Sequence, residues 1–412
     1  MKLYKSKEEL KNLRKKVKLD PVLIVAWIMA IVSAFFVLPG KEYIYYIDWR
    51  SLGILWSLMV VIQGLRENMV FEKTGEYLLK HVKYGWQLAS VLIFMCFFGS
   101  MLITNDVALI TFVPFTIMIL RSSNREDMMI LVVVLQTVAA NMGSMLTPIG
   151  NPQNLYLYGV TGMSISDFIL TMLPLTSLTL VLLIISIFFL PKKNKRLVLD
   201  NYYTDVKDHI NKVHIVINVI LFLFALCSVL RFIPWYVVAP VILVMAAIMN
   251  YRVLLKVDYI LLLTFIGFFI FTGNIGRIPE IKKILEELIK GREFLLAVLT
   301  SQIISNVPAT LLLTGFTQNY KSLLQGVNVG GLGTLIASMA SLISYKASSN
   351  AYPDRKLKYI IRFTIVNLIF LAFLMAYWYL DSLVFHKSSS DGSNDTGMDY
   401  QATNSTEVQT GN

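Results

Sequence analysis

Between residues 20 and 380 the chain returns repeatedly to apolar stretches, many of them of the roughly 17–25 residues that cross a bilayer core. In lipid every backbone N–H and C=O must find its partner inside the protein, which leaves helices as the answer to such runs. An all-α polytopic membrane protein is therefore expected. Spans fall near 20–38, 51–65, 128–158, 167–190, 213–231, 235–250, 259–275, 325–345 and 363–380, and paired apolar pieces at 86–103 and 107–120 and at 293–304 and 308–317 flank two polar interruptions. Two amphipathic segments, 71–82 and 279–290, lie between them; Ile281, Ile284, Leu285, Leu288 and Ile289 share one face of the second.

Charge orients this layout. The net charge of +11 does not call for nucleic acid, because the basic residues fall between the spans. With the N-terminus inside, 27 of the 37 Lys and Arg lie on the cytoplasmic side. The expectation is a multi-pass plasma-membrane protein with a basic cytoplasmic segment at 1–19 and its C-terminus outside. A signal peptide is the rival reading of the first segment. Its basic region is long for one, and no clear small-x-small site follows before Gly40. Residues 381–412 are polar and read as a disordered tail. Cys96 and Cys227 both lie in apolar runs and indicate no disulfide framework.

Two polar islands interrupt the apolar pattern. Thr104-Asn105-Asp106 sits inside 101–115, with no Lys or Arg close enough in sequence to pair with the acid. An ionisable group at membrane depth is costly and marks function by default. Ser305-Asn306-Val307-Pro308 repeats the pattern inside 301–316. Both are read as tips of re-entrant helical hairpins facing each other across a buried site. Two later spans are broken, one at 147–152 and one near 330–338.

These breaks belong to an internal repeat. Asn141-x-Gly143-x-x-x-Thr147-x-Ile149-Gly150-Asn151-x-x-Asn154-Leu155 aligns with Asn328-x-Gly330-x-x-x-Thr334-x-Ile336-Ala337-Ser338-x-x-Ser341-Leu342, every pair 187 apart. The order of parts also recurs: an Asp-headed span (Asp48, Asp258), an amphipathic segment, a polar tip, a broken span. The first unit covers 20–190, a loop and connecting span cover 191–234, and the second unit covers 235–380. An odd number of crossings separates the two starts, so the repeats are inverted. Inverted repeats with broken helices at matching places point to a secondary transporter with a midplane site.

The chemistry follows from the breaks. Freed carbonyls suit Na⁺, and exposed N–H groups carry the positive dipole end that favours an anion. The candidate substrate and ion ligands are Thr104, Asn105, Asp106, Thr147, Gly150, Asn151, Asn154, Ser305, Asn306, Thr334, Ser338 and Ser341. Asn105, Asn151 and Asn306 are the candidates for Na⁺. Asp106 is the single deep carboxylate and can take a hard cation or a proton. No other cofactor is expected. Each Ser or Thr has an equally good bland reading as an interhelical hydrogen bond, and Asp48 and Asp258 are better read as helix caps. His81, His209, His214 and His386 fall in loops or at span edges, against a histidine proton relay. Trp49, Trp56, Trp86 and Trp235 read as interface anchors or packing. No G-x-x-x-x-G-K-[ST] loop, H-E-x-x-H or nucleophile–base pair is evident, so an ATP-driven pump needs a separate ATPase, and an enzyme is not expected.

NDVALITFVPF at 105–115 with LTPIGNPQN at 146–154 resembles the ion transporter superfamily, closest to its anion permeases grouped with arsenite permeases. That superfamily also holds citrate transporters, Na⁺/H⁺ antiporters and divalent anion:sodium symporters. In the symporters, Ser-Asn-Thr tips and the following breaks form two sodium sites beside the substrate. The resemblance carries those roles to Thr104-Asn105-Asp106 and Ser305-Asn306-Val307. It also implies a homodimer whose transport domains move against a scaffold, with 71–82 and 279–290 as linking arms. Asp106 and Val307 depart from the symporter Thr residues. A carboxylate at 106 repels a dicarboxylate unless a proton or cation neutralises it. A small anion or oxyanion-like solute moved with H⁺ or Na⁺ is thus the leading expectation. A Na⁺/H⁺ antiporter and the membrane subunit of an ATPase-linked pump are the alternatives.

Overall fold

A computed structural model describes residues 21–80, 82–191, 194–197 and 211–391. The segment 1–19, His81, His209, most of the loop at 191–212 and the tail after Asp391 lie outside the described residues. Helices dominate, no strand occurs among the described residues, and one isolated bridge joins Tyr84 to Arg196. Seven helices are long and apolar enough to cross a bilayer, or up to eight if one bent pair is a single span.

The helices are α1 (Pro21–Ala34), α2 (Glu42–Tyr46), α3 (Trp49–Glu67), α4 (Val70–Leu79), α5 (Gly85–Ile103), α6 (Asn105–Ser122), α7 (Met129–Ser144), α8 (Pro152–Thr161) and α9 (Ile165–Ile187). There follow α10 (Lys212–Val229), α11 (Trp235–Asn250), α12 (Tyr259–Gly276), α13 (Pro279–Ile289), α14 (Glu293–Ile304), α15 (Asn306–Thr314), α16 (Tyr320–Val329), α17 (Met339–Ala351) and α18 (Lys356–Asp391). The order α3–α9 recurs as α12–α18.

Local chemistry sets the ends. Asp48 accepts from Ser51 N, and Asp258 from Leu261 N, each at 3.0 Å, so both acids cap their helices. Asn151, placed just before Pro152, caps α8 by accepting from Asn154 N at 2.9 Å. The last helix runs to Asp391, past the 380 boundary where a disordered tail was expected. No Pro or Gly interrupts the chain between Pro353 and Gly392, so nothing local stops it.

The centre of the molecule is α7. Every residue of it except Leu131 is buried, its first twelve residues being apolar but for Gln136 and Thr137. It packs against α5, α6, α9, α17 and α18. The halves also interlock: α1 lies on α12, and α11 lies on α3. Each unit's leading helix thus covers the Asp-capped helix of the other. The Trp235 ring sits where a Cβ on Gly53 would be, which makes this tryptophan packing rather than an anchor. Outward faces are apolar, with Phe35, Ile248 and Ile303 largely exposed, as lipid-facing surfaces must be.

Candidate functional site

Each tip is one residue in an unusual conformation. Thr104 (φ 68°, ψ 151°) joins α5 to α6, and Ser305 (φ 76°, ψ 155°) joins α14 to α15. That corner of dihedral space is nearly reserved for glycine, and holding another residue there costs about 1–3 kcal/mol. Matching bonds hold both. Asn105 N donates to Gly150 O, and Asn306 N to Ala337 O, each at 3.0 Å. Thr147 Oγ1 donates to Met101 O at 2.6 Å, and Thr334 Oγ1 to Gln302 O at 3.3 Å. Each tip is therefore clamped to the break that follows it. Gly150 is required by proximity: a Cβ there would lie 2.0 Å from Ser144 O. The helices flanking the first tip have 19 and 18 residues and are each long enough to span, whereas those flanking the second have 12 and 9.

Behind the tips the breaks meet each other. Asn141 donates to Ser341 Oγ at 3.4 Å and accepts from Ser338 Oγ and Asn105 Nδ2, both at 3.0 Å. Asn328 donates to Asn154 Oδ1 at 2.7 Å and accepts from Asn151 Nδ2 at 3.0 Å. Under the offset of 187, Asn141 matches Asn328, Asn151 matches Ser338, and Asn154 matches Ser341. The same two bonds are therefore made twice across the interface, with the halves exchanged. Asn154 Nδ2 also lies 3.3–3.4 Å from the carbonyls of Ser144, Met145 and Thr147, freed by the break. Asn105, Asn151, Asn154, Ser338 and Ser341 are buried in this network. Asn306 is buried too, its Oδ1 accepting from Val307 N at 3.0 Å, while Thr334 is exposed.

In front of the tips is a cavity of about 540 Å³. Its rim carries Arg66, Lys256 and Lys346; Thr104, Asp106 and Ser305 also line it. The N-termini of all four helices that follow a tip or a break contribute to its wall: Asp106 and Val107 from α6, Pro152 from α8, Ser305 before α15, and Met339 from α17. Lys256 pairs with Glu67 at 2.5 Å. Among the described residues no cation forms a salt bridge with Asp106, and its buried Oδ1 has no hydrogen-bond partner. Asp258 lines the same cavity while capping α12. No group of three His, Cys, Asp or Glu gathers for a metal among the described residues.

The candidates thus divide. Thr104, Asp106 and Ser305 face the cavity, and the asparagines brace the breaks behind them. Sequence reasoning passed over the hubs, Asn141 and Asn328, although both stand in the repeat. It also missed Gln302, whose Nε2 donates to Gly330 O and Leu332 O at 2.9 Å and whose Oε1 accepts from Thr334 N at 2.9 Å. Gln153 is buried with neither amide atom partnered. Its position between Pro152 and Asn154 was the available signal.

Comparison with known proteins agrees with this architecture. The model of a family described as citrate transporter matches residues 14–327. An uncharacterized transporter of Methanocaldococcus jannaschii is 34% identical over 76% of this chain and 85% of its own. The inner membrane protein YbiR of Escherichia coli is 31% identical over 74% of this chain and 81% of its own. A putative transporter, arsB, of Dictyostelium discoideum is 27% identical over 32% of this chain and 23% of its own.

Proposed function

The chain belongs to the citrate transporter family and is a multi-pass membrane transporter; from that premise we propose that it carries a small anion or oxyanion-like solute, coupled to H⁺ or Na⁺. The observation that carries the reading is the Asp106 carboxylate, its buried Oδ1 without a hydrogen-bond partner, in a cavity bordered by the N-termini of the four helices that follow the tips and breaks.

Charge supplies the logic. Each helix N-terminus is worth roughly half a positive charge, so four give about two. Several of their N–H groups are already capped, for example Val307 N by Asn306 Oδ1. The attraction for an anion is then mostly the field of the dipoles rather than direct bonds. Asp106 opposes it. A proton or cation on Asp106 removes that opposition, so coupling ion and anion favour each other's binding. This is coupling in its thermodynamic sense: each ligand raises the affinity for the other. Neutral oxygens at Asn105, Asn151 and Asn306 are the further ligands proposed for Na⁺.

In this reading the tip-bearing units form inverted repeats, the hairpins are re-entrant, and the basic rim faces the cytoplasm of the plasma membrane. Two copies form a homodimer, with α4 and α13 as arms between moving and fixed parts. Transport then proceeds by alternating access around the two tips.

The test uses purified protein in liposomes with a pH-sensitive dye inside. A Na⁺ gradient is imposed, and anions are added singly. A proton response that requires one anion supports the proposal and identifies the solute. Proton movement driven by Na⁺ alone overturns it in favour of an antiporter.

A further inference from the structure

A second concavity lies on the outer flank of the first hairpin. The amphipathic helix α4 leans on α5 and α6, and a groove of about 460 Å³ runs between them. Phe71 and Leu78 line it from α4, Phe94, Phe98 and Leu102 from α5, and Phe112 from α6. Its α5 wall extends from Ser90 to Ile103, about 20 Å at 1.5 Å per residue. One leaflet contributes roughly half of a hydrocarbon core about 30 Å thick, so the groove is as long as an acyl chain's path through it.

The Ser90 end of the groove adjoins a charged mouth. Lys83 precedes α5, and the bridge between Tyr84 and Arg196 brings a second cation beside it. Backbone bonds fix that approach: Gly85 N donates to Lys195 O at 3.2 Å and Leu197 N to Lys83 O at 2.9 Å. Both side chains are exposed. Tyr84 and Trp86, also exposed, flank the mouth as interfacial aromatics do. Glu72, Glu76 and Lys80 fall on the far flank of α4 from Phe71 and Leu78 by helical spacing.

We propose that this groove holds one acyl chain of an anionic phospholipid, its headgroup seated on Lys83 and Arg196. Basic residues at a membrane surface attract anionic lipids, and two at one mouth select against a zwitterionic headgroup. A second protein copy fits poorly, because two-fold symmetry would set this basic mouth near its own duplicate. The chain would end beside Ile103, next to the Thr104 tip, which makes lipid part of the hairpin's packing.

The experiment delipidates the purified full chain, adds phosphatidylglycerol or phosphatidylcholine, and counts retained lipid by native mass spectrometry. Phosphatidylglycerol should be retained at least about tenfold better. The variant carrying Lys83→Gln and Arg196→Gln should retain both lipids equally. Thr74→Trp, which fills the groove from the exposed side of α4, should lower retention of both lipids with the basic mouth intact. Equal retention of the two lipids by the unaltered chain overturns the proposal. So does unchanged retention in both variants, or cross-linking of two copies through cysteine at Leu78.

Discussion

At the scale of single residues, Asp106 and the two hub asparagines make opposite predictions. Asp106 reaches the cavity and leaves one oxygen without a partner. Asp106→Asn keeps the shape and removes the titratable charge. It should insert and fold normally yet lose coupled transport by about a hundredfold, the low end for a functional acid–base group. The liposome assay checks this; unchanged uptake with unchanged pH and Na⁺ dependence would discard the role. Asn328 instead braces two neighbours, Asn151 and Asn154. Asn328→Ala leaves buried polar groups unsatisfied and should cost about 1–3 kcal/mol of stability, seen as a lower melting temperature in detergent. Asn151→Ala separates the two kinds of role. If it weakens solute or Na⁺ affinity beyond any loss of stability, it is a ligand; if it only lowers the melting temperature, it braces as Asn328 does.

At the scale of elements, the break after α7 is held by contacts too close for a side chain. Gly150→Ala would place a Cβ 2.0 Å from the backbone oxygen of Ser144, and a backbone atom cannot swing aside. Overpacking of this kind costs about 1–3 kcal/mol, and here it would also loosen the Asn105 N to Gly150 O clamp on the tip. Transport and melting temperature should both fall. Gly276→Ala, whose Cβ meets nothing within 4 Å, is the control and should change neither. Much of this was legible in the sequence, because apolar length, Pro and Gly are local signals. The helix boundaries, both breaks and the capping acids follow from them. What escaped was pairing across the chain. Asn141 and Asn328 were visible as repeat members, but no periodicity says that they face each other's breaks. The tips are matched by their polar residues, but no single offset carries both features: the breaks match at 187 and the tips at 201, because α6 and α7 have 18 and 16 residues while α15 and α16 have 9 and 10.

At the scale of the molecule, the two ends differ in a way the repeat makes informative. At one end α8 packs on α3: a Cβ on Gly159 would lie 2.9 Å from Ser51 Oγ and 3.0 Å from Arg50 Nη1. Arg231 reinforces that end, donating to Tyr158 O at 2.8 Å and Gly162 O at 3.1 Å. At the other end the equivalent pair is α17 and the start of α12. Lys346 stands 187 beyond Gly159, Asp258 stands 210 beyond Asp48, and both line the open cavity. If the proposed alternating access holds, the opposite state closes α17 onto α12 and parts α8 from α3. Lys346 and Asp258 then come together as Gly159 and the Asp48 cap do now. Cysteines at 346 and 258 should therefore cross-link during turnover with a short bifunctional thiol reagent. Transport should stop when they do and return on release of the link by a cleavable reagent. Gly159→Trp, a wedge at the closed end, should raise labelling of a cysteine at Tyr158 from that side of the membrane. A 346–258 link that forms without slowing transport would mean that these two elements do not part and meet in the cycle, and the exchange of ends would have to run through other helices.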